Sequence, residues 1–302
     1  MLIRHANQSD KKHVLRFCNN TFEWGDYIDQ VWDSWYSEPN GYLMVAEDVD
    51  PKYKDSKKSS SIIAGVSHAY VCPSRNVVWL EGVRVRRNYR RISIASQLIK
   101  KMVEYGKEKG AKEAAAVVSI NNIASQSMME KNGFIVTSKW NYYSTEKLLQ
   151  KFETEKAKIA TSKDTERIRN YLKKSPIFKS SAESYVDSWR WYHLDLHSDI
   201  LHSLIKKEKV FVMGNDVSIV DGVAIIGEGN NIFQIGYLDA FDGFALKCLA
   251  KSVLDLAYNY EIERHGRIQI FCPQTLCLQA LTEDLGIFES GQFLLYKRNI
   301  NK

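Results

Sequence analysis

No stretch of this 302-residue chain approaches the roughly 18 consecutive apolar residues that suggest a membrane span. Of its five cysteines, Cys18, Cys72, Cys248, Cys272 and Cys277, no two stand as C-x-x-C, which removes the common redox and zinc spacings. An odd number in a chain this long fits buried free thiols in a reducing compartment. Metal-ligand patterns are missing as well. His193 and His197 stand at i and i+4 with His202 nearby, but no H-E-x-x-H or paired carboxylate accompanies them. They read as surface histidines in an aromatic-rich helical region, and no metal site is expected. Charge of one sign is in only mild excess: 42 Lys+Arg against 36 Asp+Glu give +6, which the arginines between Arg84 and Arg91 could supply. With no zinc-finger spacing and no Lys-rich tail, nucleic acid is not an expected partner. The opening Met1-Leu2-Ile3-Arg4-His5 turns polar too soon for a signal peptide. The expectation is a soluble, cytoplasmic protein without a membrane partner.

What the chain does have is material for a core. Apolar residues make up 44% of it, with seven Trp and sixteen Tyr, and its length suffices for two domains of ordinary size. Strands are expected at Leu2–Ala6, Gly41–Glu47, Ser61–Val71 and Val77–Val85, separated by helical patterns at Val14, Leu15 and Cys18 and at Val31, Trp32 and Trp35. Asn7-Gln8-Ser9-Asp10 offers an N-cap to the first helix. A helix over about 92–109, a strand at Ala114–Ile120, a helix from Asn122 to the Asn132-Gly133 C-cap, and a closing strand from Phe134 to Tyr143 follow. Residues 144–155 read as a charged connector, and 50–59 as a solvated loop. The order then repeats in degenerate form: strand Ala157–Thr161, cap Ser162–Asp164, strands Phe211–Met213, Val217–Ile226 and Ile232–Leu238, helix Phe244–Tyr258, strand Arg267–Phe271, helix Leu276–Leu285 and strand Gln292–Lys297. The fold class expected is α/β (α+β), two tandem domains over 1–145 and 156–302, each a mixed, mostly antiparallel sheet flanked by helices.

The richest stretch for function is Val83-Arg84-Val85-Arg86-Arg87-Asn88-Tyr89-Arg90-Arg91-Ile92-Ser93-Ile94-Ala95. It enters as a strand and leaves as a helix, since Ile94, Leu98, Ile99 and Met102 recur at helical spacing. A strand feeding a helix through a basic turn of small residues aims free N–H groups and the positive helix end at one point, a site suited to pyrophosphate.

Arg90-Arg91-Ile92-Ser93-Ile94-Ala95 resembles the R-x-x-G-x-A/G acyl-CoA signature of the GCN5-related N-acetyltransferases (GNAT superfamily). Asn122-Ile123-Ala124-Ser125 with Glu130-Lys131-Asn132-Gly133-Phe134 resembles a second segment of the family, at the right distance. The departure is Ser93, where the family usually has Gly. Serine is small enough to admit a pyrophosphate, but a turn requiring φ > 0 there would not come cheaply. More narrowly, Glu81-Gly82-Val83-Arg84-Val85, Trp24-Gly25-Asp26-Tyr27 and Tyr237-Leu238-Asp239-Ala240-Phe241 are similar to the tandem form found in histidine N-acetyltransferase-like proteins.

The resemblance implies acetyl-CoA as co-substrate and a free amino acid or other small amine as acceptor. It implies that the fourth and fifth strands splay to admit pantetheine along the main chain of Val83 and Val85, with Arg84 beside them. The N–H groups of Arg91, Ile92, Ser93, Ile94 and Ala95, followed by Ser96, would cradle the pyrophosphate, and Arg90 or Arg91 would add a charged contact. Asn122 would touch the pantetheine arm. Trp24, Asp26 and Tyr27 are candidates for an acceptor-pocket wall. Glu81 is the candidate general base, sharing a face with Val83 and Val85 by strand alternation. The family often has a tyrosine acid where this chain has Met129, so Tyr142 or Tyr143, or water, would supply that proton. His68 could face the site, though a lone strand histidine is more often structural. The second half has Leu238-Asp239-Ala240-Phe241-Asp242-Gly243-Phe244 in place of the basic turn, so it is expected not to bind acyl-CoA. The competing readings are a protein or peptide N-terminal acetyltransferase and a non-catalytic acyl-CoA-binding regulator.

Overall fold

The computed structural model describes residues 1–19, 21, 25–49, 61–145, 152, 157–214, 219–229, 232–264, 267–275 and 289–301. The expected solvated loop, most of the charged connector, the helix at Leu276–Leu285 and the pocket candidate Trp24 lie outside these residues. In chain order the elements are β1 (Leu2–His5), α1 (Lys11–Cys18), α2 (Ile28–Ser37), β2 (Gly41–Val49), β3 (Ser61–Cys72), β4 (Val77–Val85), α3 (Ile94–Glu108), β5 (Glu113–Ser119), α4 (Ile123–Lys131) and β6 (Ile135–Thr145). The second half continues with β7 (Ala157–Ile159), α5 (Thr165–Lys174), α6 (Pro176–Ser180), β8 (Ser184–Asp187), β9 (Arg190–His193), α7 (Ile200–Lys206), β10 (Val210–Met213), β11 (Gly222–Gly229), β12 (Ile232–Ala240), α8 (Gly243–Arg264), β13 (Arg267–Pro273) and β14 (Glu289–Asn299). The chain is thus mixed α/β, and its sheets are mostly antiparallel.

The chain divides into two compact units: one of residues 1–117, 122–135 and 296–302, and one of 118–121 and 136–295. In the first, β1, β2, β3 and β4 pair antiparallel in sequence, and β5 joins β4 in parallel. One sheet face is covered by α1 and α2 through Val14, Cys18, Ile28, Trp32 and Trp35. The other face carries α3, which buries Ile94, Leu98, Ile99, Met102 and Val103. Each such side chain contributes about 1.5–3 kcal/mol on burial, so this stripe rather than helix propensity holds α3 in place. Gly106 lets the helix approach β4, because a Cβ there would come within 2.4 Å of Val78.

The second unit has the same pairing pattern. β7, β10, β11 and β12 run antiparallel, and β13 is parallel to β12 with α8 between them in the chain. Both units also open with the same cap. The Asn7 N–H donates to Asp10 at 2.8 Å ahead of α1, and the Thr161 N–H donates to Asp164 at 2.7 Å ahead of α5. Each aspartate accepts from an arginine as well, Arg4 at 2.7 Å and Arg167 at 2.9 Å.

The unit boundaries differ from a cut at residue 145. The strand expected to close the first sheet falls, from Val136 onward, in the second unit, where β6 pairs antiparallel with β13 from Ile268↔Thr145 to Pro273↔Trp140. Conversely Tyr296–Lys302 packs in the first unit: Lys297 pairs with Glu113 at 3.0 Å and Arg298 donates to the Asn132 carbonyl at 2.8 Å. Strand pairing, which local patterning does not encode, makes the difference. The region of His193 is not helical, since His193 ends a two-stranded hairpin of β8 and β9. Among the described cysteines Cys18 and Cys272 are buried, whereas Cys72 and Cys248 are half-buried; Cys277 lies outside the described residues.

Candidate active site

The site begins with a break in the β3–β4 ladder. His68 pairs with Glu81 and Val66 with Arg84, so two steps along β3 match three along β4. The extra residue is a bulge at Gly82–Val83, made possible by Gly82 at φ +68. A Cβ on Gly82 would also lie 2.5 Å from the Trp35 ring. The bulge reverses the alternation expected from sequence. Glu81 shares its face with Arg84, on the side of α1 and α2, and not with Val83 and Val85.

On that face Glu81 meets His68, whose Nδ1 lies 2.9 Å from Glu81 Oε1. The imidazole is fully buried, and its Nε2 lies 3.5 Å from Oε2 of Glu38, just past the end of α2. Trp35 stacks flat on the ring, with centroids 4.7 Å apart and planes within 6°. Tyr27 meets Trp35 edge-on at 6.1 Å. Burial, opposed in part by Arg84, pushes the Tyr27 hydroxyl above its ordinary value. Nothing in the sequence singles out Glu38; 30 residues separate it from His68 in the chain, and only the packing of α2 on β3 joins them.

Arg84 and Asp26, expected on the cofactor and on the acceptor respectively, are each other's partners. Arg84 donates from Nε to Asp26 Oδ2 at 2.8 Å and from Nη2 to Oδ1 at 3.2 Å. Their side chains are only 12% and 4% exposed, and the guanidinium lies over the Tyr27 ring at 5.1 Å. Burial works against the Arg84 charge, but Tyr27 and Asp26 outweigh it and hold its proton more tightly than usual.

Beyond β4, a 3-10 turn at Arg87–Tyr89 leads to Arg90, Arg91 and Ile92, all exposed, and then to α3. The conformation required here is left-handed twice over. Arg91 has φ +69 and Ser93, the N-cap of α3, has φ +65 and makes no side-chain capping bond. The turn therefore does demand φ > 0 at the serine, which costs on the order of 1–2 kcal/mol relative to an unstrained residue. Ile94 is buried under the turn, Ala95 and Ser96 are half-buried, and the first-turn N–H groups of a helix have no intrahelical acceptor. Ser96 Oγ accepts from the side-chain amide of Asn132 at 3.2 Å, which ties the turn to the C-terminus of α4. Asn122 is the N-cap of α4, accepting from the Ser125 N–H at 3.1 Å.

The parallel ladder between β4 and β5 covers Val77–Trp79 with Glu113–Ala115 and stops there, although both strands continue. Beyond Trp79 that edge of β4 has no strand partner among the described residues. The carbonyls of Val83 and Val85 accept side-chain donors, Arg84 at 3.2 Å and Arg90 at 3.1 Å.

Tyr142 belongs to the second unit. Its hydroxyl accepts from Gln269 at 3.2 Å, and its ring packs among Trp189, Phe271 and Phe293. The stretch after β12 differs chemically from the turn after β4. Asp239 is buried and accepts hydroxyl bonds from Tyr171, Ser175 and Tyr237, while burial pushes its pKa up. Asp242 accepts from the Ala245 N–H at 2.7 Å, placing a carboxylate of the chain itself at the start of α8. Met129, at the position where the family resemblance implies a tyrosine acid, is buried.

Residues 11–134 match the model of the acetyltransferase (GNAT) family. Aminoglycoside N(6')-acetyltransferase type 1 from Salmonella typhimurium is 37% identical to this chain over 82 residues, 26% of the chain and 57% of the relative, and the Salmonella enteritidis protein of the same name matches equally. The chain thus spans little more than half the length of these curated relatives. A GCN5-related N-acetyltransferase from Sphaerobacter thermophilus shares the fold with a TM-score of 0.58 over 100% of this chain and 96% of its own, at 13% identity. Over residues 11–134 the chain is therefore similar to the acetyltransferase (GNAT) family, on a fold it shares along its length with a solved GCN5-related N-acetyltransferase.

Proposed function

We propose that the chain is an acetyl-CoA-dependent N-acetyltransferase whose acceptor is the amine of a small molecule. The observation that carries this reading is the junction at the end of β4. There a carboxylate, Glu81, sits on the strand whose ladder to β5 has opened, and the same strand leads to the helix start at Ser93. Pantetheine would enter along the open edge of β4 at Val83 and Val85. The pyrophosphate would meet the N–H groups from Arg91 to Ser96, with Arg90 and Arg91 exposed to reach its oxygens. Asn122 supports that arm by fixing the start of α4. Glu81 would take the ammonium proton of the acceptor, directly or through water, and the freed amine would attack the thioester carbonyl. Water would supply the proton that the departing thiolate takes up.

The small amine is favoured by the similarity to aminoglycoside N-acetyltransferases over part of the chain. The second unit is read as a degenerate copy of the first, from its repeated ladder order and repeated cap, and as lacking a CoA site because Asp242 already occupies the helix start. The test is thiol release from acetyl-CoA over a panel of amines, including aminoglycosides, amino acids and N-terminal peptides, alongside a CoA binding isotherm. Glu81→Gln should lower turnover by roughly 10²–10⁴-fold with CoA affinity nearly unchanged. Tight CoA binding with no turnover on any amine would replace this reading by that of an acyl-CoA sensor.

A further inference from the structure

The buried imidazole of His68 has no part in the chemistry above, yet everything around it fixes its plane. Trp35 lies flat on one side of it, and Gly41 is small where a Cβ would come within 2.8 Å of Nε2. The unbroken ladder from Cys72↔Val77 to His68↔Glu81 sets Glu81 opposite it, just ahead of the bulge at Gly82–Val83. A carboxylate oxygen 2.9 Å from Nδ1 requires a proton between the two atoms. The neutral imidazole with its proton on Nδ1 meets that requirement and leaves Glu81 ionised. Nε2 is fully buried and makes no hydrogen bond among the described residues, with Glu38 Oε2 as its 3.5 Å neighbour. Among the described residues the ring therefore has one firm hydrogen bond, and that bond is to the proposed base.

We propose that His68 is a positioning residue for Glu81: its Nδ1–H holds one carboxylate oxygen so that the other is presented to the acceptor amine. This rests on the reading of Glu81 as the base. A glutamate side chain turns about three bonds, and a misplacement near 1 Å in a reacting group can cost about 10²-fold in rate. The hydrogen bond to a stacked, buried ring removes that freedom before the substrate arrives. The groups facing the ring are Glu81 from β4 and Glu38 and Trp35 from the end of α2, with Tyr27 and Arg84 one layer further out.

The two nitrogens of the ring allow a directed test. In His68→Asn the amide nitrogen takes the place of Nδ1, and in His68→Gln the place of Nε2. The asparagine variant should keep turnover within a few-fold of wild type. The glutamine variant should lose roughly 10²-fold in kcat, with KM and CoA affinity unchanged. Equal activities in the two folded variants would overturn the proposal. A second measurement needs no folded variant: nitrogen NMR of the imidazoles in the wild-type protein. It should show His68 protonated on Nδ1; an unprotonated Nδ1 would overturn the proposal. If Glu81→Gln itself retains full turnover while Nδ1 still reads as protonated toward Glu81, the base assignment fails and the geometry of the pair stands.

Discussion

The Arg84–Asp26 pair is the sharpest place to separate structural from functional charge. Replacing Arg84 by Met keeps much of the side-chain bulk but leaves the Asp26 carboxylate, 4% exposed, without its guanidinium. Two unit charges about 4 Å apart at an effective dielectric near 20 attract by about 4 kcal/mol. Stranding one member of a buried pair typically costs about 3–5 kcal/mol. Loss of the contact over the Tyr27 ring adds about 0.5–2 kcal/mol. Because the chain holds two units, opening of the first is best followed by hydrogen exchange of peptides spanning β3 and β4. A loss of about 4 kcal/mol corresponds to roughly 10³-fold faster exchange there, since each 1.4 kcal/mol is tenfold. The double variant Arg84→Met with Asp26→Leu should recover most of this, because no charge is then left buried. CoA affinity should change little in the double variant. A single-variant cost below about 1 kcal/mol, or additive costs in the cycle, would refute the claim that the pair is a desolvated unit. A large loss of CoA affinity in a double variant of recovered stability would return Arg84 to the cofactor.

Other expectations are as direct. Ser93→Gly removes a left-handed strain of about 1–2 kcal/mol against a backbone-entropy cost of about 0.5–1 kcal/mol, so it should stabilise slightly and preserve CoA binding; a destabilised variant would contradict the strain. Ser93→Asp, by contrast, should weaken CoA by tenfold or more, and unchanged affinity in calorimetry would remove the pyrophosphate from this turn. Burial pushes Asp10 up, but Arg4 and the Asn7 N–H outweigh it and hold the carboxyl below its ordinary value; Asp164 is held down likewise against burial, by the Thr161 N–H and Arg167. A depressed folded value means stability that is present above the unfolded pKa, near 3.9, and lost as pH falls through the folded one. Asp10→Asn should therefore flatten the acid limb of a pH–stability profile, and an unaltered limb would exclude Asp10 as a contributor. Titration of the whole chain should give one CoA per chain, and Asp242→Asn should not raise it; a second equivalent would assign a site to α8.

Patterning made much of this legible. The apolar recurrence from Ile94 to Met102 and the run into Val85 carry enough period to place α3 and β4, and with them the basic turn between. The turn's geometry was less legible, because serine gives no hint that its φ will be positive. Alternation gives Glu81 the wrong neighbours for a related reason: strict alternation holds only in an unbroken ladder, and Gly82 permits the bulge that breaks it. The Glu38–His68–Glu81 cluster and the Arg84–Asp26 pair were out of reach, since both join residues that only tertiary packing brings together. The assignment of β6 to the second unit belongs with these. Its sequence says strand, but nothing local in it says which strand it will pair with.

The same feature at the other end of the chain has a temporal meaning. Tyr296 donates to Glu130 and Arg298 to the Asn132 carbonyl, each across a separation of 166 positions in the sequence. At a synthesis rate of roughly 5–20 residues per second, these partners of α4 emerge about 10–30 s after the helix they complete. For that interval the first unit exists without its last segment, and the flank of α4 that Tyr296 and Arg298 will occupy stands open to solvent and to chaperones. The order of assembly is therefore not the order of the chain: the first unit to be started is completed only after the residues of the second have been synthesised.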